Sequence, residues 1–337
     1  MSPLDLAAAP PPLAATPRHP PRRAAADPPA APCVEPDLDG DAAAAFANAL
    51  PLGVRFELRD RITPIQHAFL ARHGFLVFSQ VARDDEVDTI LAEVDRIEAD
   101  LLARGERKVF GVPVWFGLDP DGHDYLFRMG FTSVHSEYLG AFVRDARFEP
   151  IRTLIGADAR IGDREKDGVV FNRYVRAEQS LRPNLAWHTD ALRDVFYNWK
   201  MPGPMLNIGL HFDRIRPADG GLRLVPGTHT QGPMSTLFSK IHFVSDAPDK
   251  NELAVETWPG DLTVHDGRMW HRVVASPETG WGSLRRSMYV PYVCDTYQPK
   301  SKDSATPLYM RVFDAIVRMK ARSKAREQAR LTSRRDR

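Results

Sequence analysis

The sequence predicts a mainly β protein in which antiparallel strands form a sandwich or jelly roll, with helices flanking the sheets. From about residue 165 to 294, short strand-like runs are divided by Gly, Pro and Asp. No long helical period separates these runs, so the alternation of strands and helices that builds a parallel sheet is missing. Many short strands joined by tight turns are typical of a jelly roll. The clearest runs are VVFNRYV, MLNIGLHF, GLRLVPG, LAVETW, DLTVH and RSMYVPYV.

The composition excludes several classes of protein. The 337 residues are 43% hydrophobic and 26% charged with a net charge of +1, so a nucleic-acid interface covering the domain is not expected. The chain has two cysteines, Cys33 and Cys294, which give no disulfide framework and favour a reducing cytoplasmic location. No run of eighteen apolar residues predicts a membrane span, and no pattern in the sequence indicates an oligomeric state.

Three regions follow along the chain. Residues 1–32 contain ten Ala and ten Pro, and we interpret 1–50 as a disordered tail because such a segment buries too little side chain to offset its ordering entropy. A transit peptide is the alternative for this segment, although its prolines interrupt an amphipathic helix. Residues 55–312 are predicted to form one catalytic domain with N-terminal helices. The last residues, 313–337, form the end of a C-terminal helix that starts near 308 and a basic tail, most simply a solvated, frayed helix end.

The N-terminal part of the domain predicts two helices around a strand. In TPIQHAFLARHG, Thr63 caps a helix, Gln66 completes a capping box and Gly74 ends the helix. A strand at 75–81 precedes a second helix with a regular apolar face, formed by Val87, Ile90, Leu91, Val94, Ile97 and Leu101.

Two aromatic segments have no clear period. Residues 108–135 are rich in Phe, Trp, Gly and Pro and are predicted to be a loop region. Within it, the segment 108–117, like the segment 194–204, is either a wall or lid over a substrate or a hydrophobic loop packed on the core.

A candidate metal site lies in NLAWHTDALRD, residues 184–194, where His188 and Asp190 would share one face of a strand. The triplet alone is weak evidence, because such a pair occurs by chance in many proteins. In an antiparallel double-sheet fold, however, the later GDLTVHDGRMWH can bring His271 to the same point. Two histidines and one carboxylate leave three positions open on an octahedral ion and suit Fe(II), whereas a closed zinc site needs four protein ligands. His265 is the alternative third ligand.

A candidate anion site follows in LRRSMYV. Arg285 and Ser287 share one strand face, while Arg286 points the other way. A guanidinium fork with a hydroxyl group can bind a carboxylate through charge-assisted hydrogen bonds. The alternation therefore predicts an anion-binding role for Arg285 and an ordinary, exposed position for Arg286.

The order of four motifs resembles the phytanoyl-CoA dioxygenase family of Fe(II)- and 2-oxoglutarate-dependent oxygenases. The likeness covers roughly residues 165–294 and extends more loosely back to GFLVFSQV. The motifs are His188-x-Asp190, DGGLRLVPGTH at 219–229, GDLTVHDGRMWH ending at His271, and Arg285-x-Ser287.

The resemblance implies a double-stranded β-helix, a jelly-roll or cupin-like core, with helices on one outer face. It also implies that His188, Asp190 and His271 bind Fe(II), that Arg285 and Ser287 bind the far carboxylate of the co-substrate 2-oxoglutarate, and that O2 is the second co-substrate. No catalytic residue beyond the metal ligands is expected.

Hydroxylation of an unactivated C–H bond in a small, partly apolar metabolite, with release of succinate and CO2, is the expected reaction. Related halogenases lack the carboxylate ligand, so Asp190 argues against halogenation. Desaturation, cyclisation and epimerisation use the same ligands and stay open. A zinc hydrolase and a non-catalytic jelly-roll binding protein are the alternatives from other classes.

One departure from the family pattern concerns the strand MLNIGLHFD. Several members carry a tryptophan near the co-substrate where this chain has Gly209. His211, two residues on, would share that face and either line the pocket or pack against the sheet with one hydrogen bond.

Overall fold

The structure is a computed structural model that describes residues 27–177, 184–191, 203–294, 297–307 and 310–311. The predicted C-terminal helix and basic tail lie almost entirely outside these residues, as do the first 26 residues and most of the aromatic segment 194–204. In the described part, no helix is long and apolar enough to cross a membrane.

The larger of two facing sheets has eight strands among the described residues. Its order is β1-β12-β9-β14-β7-β5-β4, with β6 paired to β14, and every pairing is antiparallel. The strands are β1 (Phe75–Phe78), β4 (Trp115–Leu118), β5 (Asp124–Met129), β6 (Arg160–Ile161), β7 (Val170–Arg176), β9 (Met205–His211), β12 (Leu262–Asp266) and β14 (Gly280–Val293).

The smaller sheet has the order β11-β10-β13-β8. Its strands are β8 (Leu185–His188), β10 (Gly221–Leu224), β11 (Leu253–Ala254) and β13 (His271–Val274), and β2 (Lys108–Val109) pairs separately with β3 (Val112–Pro113). The two sheets face each other, since the ring centroids of His265 on β12 and His271 on β13 are 4.8 Å apart. The predicted double-stranded β-helix is confirmed.

Helices cover the outer face of the larger sheet. They are α1 (Gly40–Ala49), α2 (Pro64–His73), α3 (Asp84–Ala103), α4 (Glu137–Phe142) and α5 (Glu149–Arg152), while the short α6 (Pro233–Phe238) follows β10. The predicted cap of α2 is present, because Thr63 and Gln66 form a capping box and Gly74 adopts φ 83°. The predicted apolar face of α3 is buried in the main core.

Arg173 shows which face of β7 meets the helices. Its side chain is 1% exposed and forms ion pairs with Asp95 and Glu98 of α3. Because side chains alternate along a strand, its neighbours Asn172 and Tyr174 face the other way, toward the smaller sheet. The alternation therefore places the polar side chains of Asn172 and Tyr174 between the two sheets.

Two predictions about local structure are wrong. The segment 108–135, expected as a loop, contains β2, β3, β4 and β5, and β5 extends the sheet by pairing with β7. Most of β5 is buried, so no polar and apolar alternation marks it. The tail expected to be disordered to residue 50 contains α1, whose Ala43 and Ala47 are buried. Small alanine side chains allow the close packing of α1 on α2.

The segment 108–117 packs partly on the core. Val109, Val112 and Val114 are buried in the main apolar cluster. Of the two interpretations, these contacts favour the hydrophobic segment packed on the core over the wall of a substrate site.

Candidate metal centre

Strand pairing brings His188, Asp190 and His271 together. His188 ends β8, and its direct partner across the antiparallel pair is His271, the first residue of β13. Asp190 lies two residues past the end of β8, so it reaches the group from the residues that follow the strand and not from a shared strand face as predicted. One ligand atom from each of the three residues lies within 4.8 Å of the others. The three residues are 6%, 5% and 5% exposed, respectively.

Backbone hydrogen bonds fix both imidazole rings. The Nδ1 of His188 donates to the carbonyl of Ala186 at 2.9 Å, and the Nδ1 of His271 donates to the carbonyl of Met269 at 3.1 Å. A carbonyl only accepts, so each neutral ring keeps its proton on Nδ1 and leaves the Nε2 lone pair available. The Nε2 of His271 lies 4.0 Å from Oδ2 of Asp190.

Burial favours the uncharged form of His188. Desolvation, followed by the neighbouring His271, lowers the pKa of His188 well below its ordinary value, although Asp190 opposes this shift. A metal ligand has to be deprotonated, so the ring of His188 is in its binding form at neutral pH. Two imidazoles and one carboxylate, whose ligand atoms lie within 4.8 Å of one another, are a donor set that fits Fe(II).

Asn207, on β9, is a site residue that the sequence did not reveal. Its Nδ2 donates to Oδ2 of Asp190 at 2.9 Å. Residues that hydrogen-bond to a metal ligand orient it and reduce the entropy lost on binding. The contact joins the residues that follow β8 to a strand of the opposite sheet. No local pattern in the sequence indicates this hydrogen bond.

Asn207→Ala is expected to weaken Fe(II) binding about 10- to 100-fold, because the Asp190 carboxylate loses the donor that holds it. The measurement is the Kd for Fe(II) under anaerobic conditions, by competition with a chromophoric chelator. Asn207→Asp, which keeps the size but replaces the donor with a second carboxylate oxygen, should bind no better than Asn207→Ala. Wild-type affinity in Asn207→Ala would show that this hydrogen bond does not position Asp190.

Arg285 and Ser287 line a small cavity between the two sheets. Arg285 pairs with Tyr174 of β7, and Ser287 pairs with His211 of β9. The same cavity is lined by Tyr289 on the larger sheet. Burial lowers the pKa of Arg285 to about 10, so the guanidinium stays cationic at neutral pH. The structure thus places a buried positive charge and a hydroxyl group along one cavity.

The predicted exposed position of Arg286 is wrong. The side chain is 6% exposed and forms a two-point ion pair with Asp213, with bonds of 3.1 Å from Nε and 2.6 Å from Nη2. The backbone N–H of Arg286 also donates to Asp213 at 2.6 Å. Side-chain alternation correctly predicts that Arg286 points away from the face that carries Ser287. However, the face of β14 on which Arg286 lies is covered by protein and not by solvent.

The long connection before Arg285 belongs to the strand itself. β14 starts at Gly280, and its register with β7 shifts between Gly280 and Arg285. A β-bulge absorbs extra residues without changing the alternation that follows. The residues in SPETGWG that lengthen the spacing between His271 and Arg285 therefore leave Arg285 and Ser287 on one face.

Gly209, the position for which the family resemblance implies a tryptophan in several members, leaves no open space. A Cβ atom at Gly209 would lie 2.6 Å from Cε1 of Tyr289 and 2.7 Å from Oγ1 of Thr263. The ring of Tyr289, from the neighbouring strand, occupies this volume. His211 lines the cavity and also makes one hydrogen bond, 3.0 Å from Nε2 to Oγ1 of Thr263, so both interpretations of this residue hold.

The segment 241–245 forms a wall beside the metal group. The ring of Phe243 stacks on His188 with centroids 4.9 Å apart, and its backbone N–H donates to Trp187 at 2.9 Å. Trp187 itself is 1% exposed and packs with Val225 and Trp270. No periodicity in the sequence links this segment to β8, so the wall could not be predicted.

Two other histidines near the motifs lie outside the metal group. Nε2 of His229 donates to the carbonyl of Ala71 at 3.0 Å and fastens the turn after β10 to α2. His265, the alternative third ligand, lies beside His271 but is not one of the three residues whose ligand atoms converge.

Comparisons with solved structures show the same fold. EctD from S. alaskensis, with bound Fe, is 15% identical, with TM-score 0.52 over 73% of this chain and 81% of that chain. The non-heme alpha ketoglutarate dependent epimerase SnoN from nogalamycin biosynthesis is 19% identical, with TM-score 0.51 over 72% and 91%. HygX from Streptomyces hygroscopicus, with nickel and 2-oxoglutarate bound, is 16% identical, with TM-score 0.50 over 71% and 89%.

The sequence comparisons give the family. No curated protein matches the chain significantly. The family model described as phytanoyl-CoA dioxygenase matches residues 70–276, which is more than half of the 337 residues and includes all three residues of the metal group. The chain therefore belongs to the phytanoyl-CoA dioxygenase family.

Proposed function

We propose that the protein is an Fe(II)- and 2-oxoglutarate-dependent dioxygenase that hydroxylates an unactivated C–H bond of a small, partly apolar molecule. The observation that carries the proposal is the convergence of the buried residues His188, Asp190 and His271, in a fold whose two sheets also enclose the cavity lined by Arg285 and Ser287. When bound, Fe(II) with 2-oxoglutarate and O2 supplies the oxidising chemistry that releases succinate and CO2.

The protein's own residues bind and orient the reactants. His188, Asp190 and His271 would hold the metal, since two imidazoles and one carboxylate are a ligand set that suits Fe(II). Arg285 and Ser287 bind the distal carboxylate of 2-oxoglutarate, which offsets the cost of burying that charge. A ligand that contacts both Arg285 and the metal group would need a polar group at each end.

The surroundings support an apolar part in the substrate. Phe243 covers His188, and the same segment exposes Ile241 and Val244, which are 67% and 69% exposed. Apolar side chains that lead from the surface to a metal group are suited to a substrate with a hydrocarbon portion. A small molecule is the expected partner.

Epimerisation is the second candidate, because one of the solved structures of this fold is a non-heme alpha ketoglutarate dependent epimerase. Desaturation and cyclisation need the same ligands. A zinc hydrolase would have no use for a buried cation such as Arg285 at the far end of the cavity, so the cavity favours the oxygenase. A non-catalytic jelly-roll protein would need neither the metal group nor Arg285.

The proposal is tested by iron-dependent release of succinate from 2-oxoglutarate in air. We expect slow release by the wild-type protein and faster release when a metabolite library supplies the substrate. Asp190→Ala should remove this activity. Succinate release from the wild-type protein that never exceeds the Asp190→Ala background, with or without the library, would contradict the proposed function.

A further inference from the structure

His265 lies in the space between the sheets, close to the metal group. It is on β12, is 0% exposed and pairs in register with Asn207, the residue that holds Asp190. Its ring points toward the smaller sheet, with its centroid 4.8 Å from that of His271. The ring of Tyr289 is 6.3 Å away on the larger sheet.

Both ring nitrogens of His265 are buried without a hydrogen-bond partner among the described residues. The other histidines of the site differ, since His188, His211 and His271 each have a partner for a ring nitrogen. Leaving a buried polar group without a hydrogen-bond partner destabilises the folded state. Such groups are rare in folded proteins and point to a bound ligand or water.

The register of the strands places His265 and Arg285 at opposite ends of the site. Across β9 and β14, Asn207 pairs with Pro291 and His211 pairs with Ser287, and Arg285 lies two residues beyond Ser287. His265 is level with Asn207, at the end where the metal group lies. A ligand that reaches from Arg285 to the metal would end near His265.

We propose that His265 is a second co-substrate-binding residue and donates an N–H hydrogen bond to the 2-oxoglutarate carboxylate that lies beside the metal. An imidazole has at least one N–H donor in each protonation state. The inference rests on the proposed function, and it adds a contact at the metal end to those of Arg285 and Ser287 at the far end. The ligand class is thus a keto acid held by a protein donor at both ends.

The test uses the full-length protein under anaerobic conditions and measures two affinities separately. The Kd for Fe(II) alone is measured by competition with a chelator, and the Kd for 2-oxoglutarate by titrating the visible charge-transfer band of the iron complex. His265→Leu removes the donor, whereas His265→Gln keeps an N–H donor. Thermal unfolding of each apoprotein checks that both variants fold.

We expect His265→Leu to weaken 2-oxoglutarate binding about tenfold or more, with the affinity for Fe(II) changed by less than about twofold; a hydrogen bond to a charged group is typically worth this much. His265→Gln should recover most of the affinity. Should His265→Leu fail to fold, His265→Asn replaces it, because this variant keeps an N–H donor but retracts it from the site. Its affinity for 2-oxoglutarate is then expected to be lower than that of His265→Gln, and equal affinity in His265→Asn and the wild type would contradict the proposal.

Two results would overturn the proposal. Equal 2-oxoglutarate affinity in His265→Leu and the wild type would show that another group or water satisfies the imidazole. A parallel loss of Fe(II) affinity in His265→Leu would assign the ring to the metal. A wild-type protein that binds no Fe(II) would instead refute the proposed function itself, before any variant is compared.

Discussion

His271→Ala is expected to lower the affinity for Fe(II) at least 100-fold and to remove the visible band of the iron complex with 2-oxoglutarate. The substitution deletes one of three converging ligands, and His188 and Asp190 alone leave the ion without a facial site. The fold should persist, because His271 is the first residue of β13 and its backbone pairing with β8 does not need the imidazole. The measurement is anaerobic competition with a chelator.

His229→Ala is the matched control for this change. It also removes a buried imidazole with a backbone hydrogen bond, but from a turn outside the metal group. We expect it to reduce stability and leave the Fe(II) affinity within a few-fold of the wild type. Unchanged metal binding in His271→Ala would contradict its assignment as a ligand.

Arg285→Ala is expected to raise the Kd for 2-oxoglutarate by about 100-fold or more, since it would remove the proposed charge-assisted, two-point contact between the cavity-lining guanidinium and a carboxylate. Arg285→Lys should recover part of the affinity, because a lysine restores the charge without the planar fork. Titration of the iron complex under anaerobic conditions measures both.

Arg286→Ala should behave differently. It leaves the buried Asp213 carboxylate without its guanidinium partner, so the expected effect is a loss of about 3–5 kcal/mol in the free energy of unfolding. In the folded fraction, the Kd for 2-oxoglutarate should stay within a few-fold of the wild type. If Arg286→Ala weakened 2-oxoglutarate binding more than Arg285→Ala, the assignment of the two arginines would be reversed.

The fold could be predicted where the sequence carries a clear local signal, such as a regular apolar face or a helix cap. The apolar face of α3 and the cap at Thr63 are local signals, and both predict what is observed. The strands within 108–135 were missed because their environment hides the alternation: β5 is buried on nearly every residue, and β2 and β3 have two residues each. Helix α1 was missed because its alanines look like part of the tail.

Within the site, the residues that could be predicted are those in ordered motifs. His188 and His271 meet because an antiparallel partner returns to the same point, which follows from the fold class. Asn207 and Phe243 could not be found in this way, because their contacts depend on register and loop path. Alternation placed Arg286 on the correct face, but it does not say whether a face meets solvent or an acidic partner such as Asp213.

The central claim is most directly tested by adding Fe(II) and 2-oxoglutarate to the wild-type protein without oxygen and recording the visible spectrum. The structure predicts a weak metal-to-ligand charge-transfer band that needs both additions and is absent in His271→Ala. A wild-type protein that gives no band at saturating concentrations of both, or a band that persists unchanged in His271→Ala, would contradict the assignment of His188, Asp190 and His271 as an iron site.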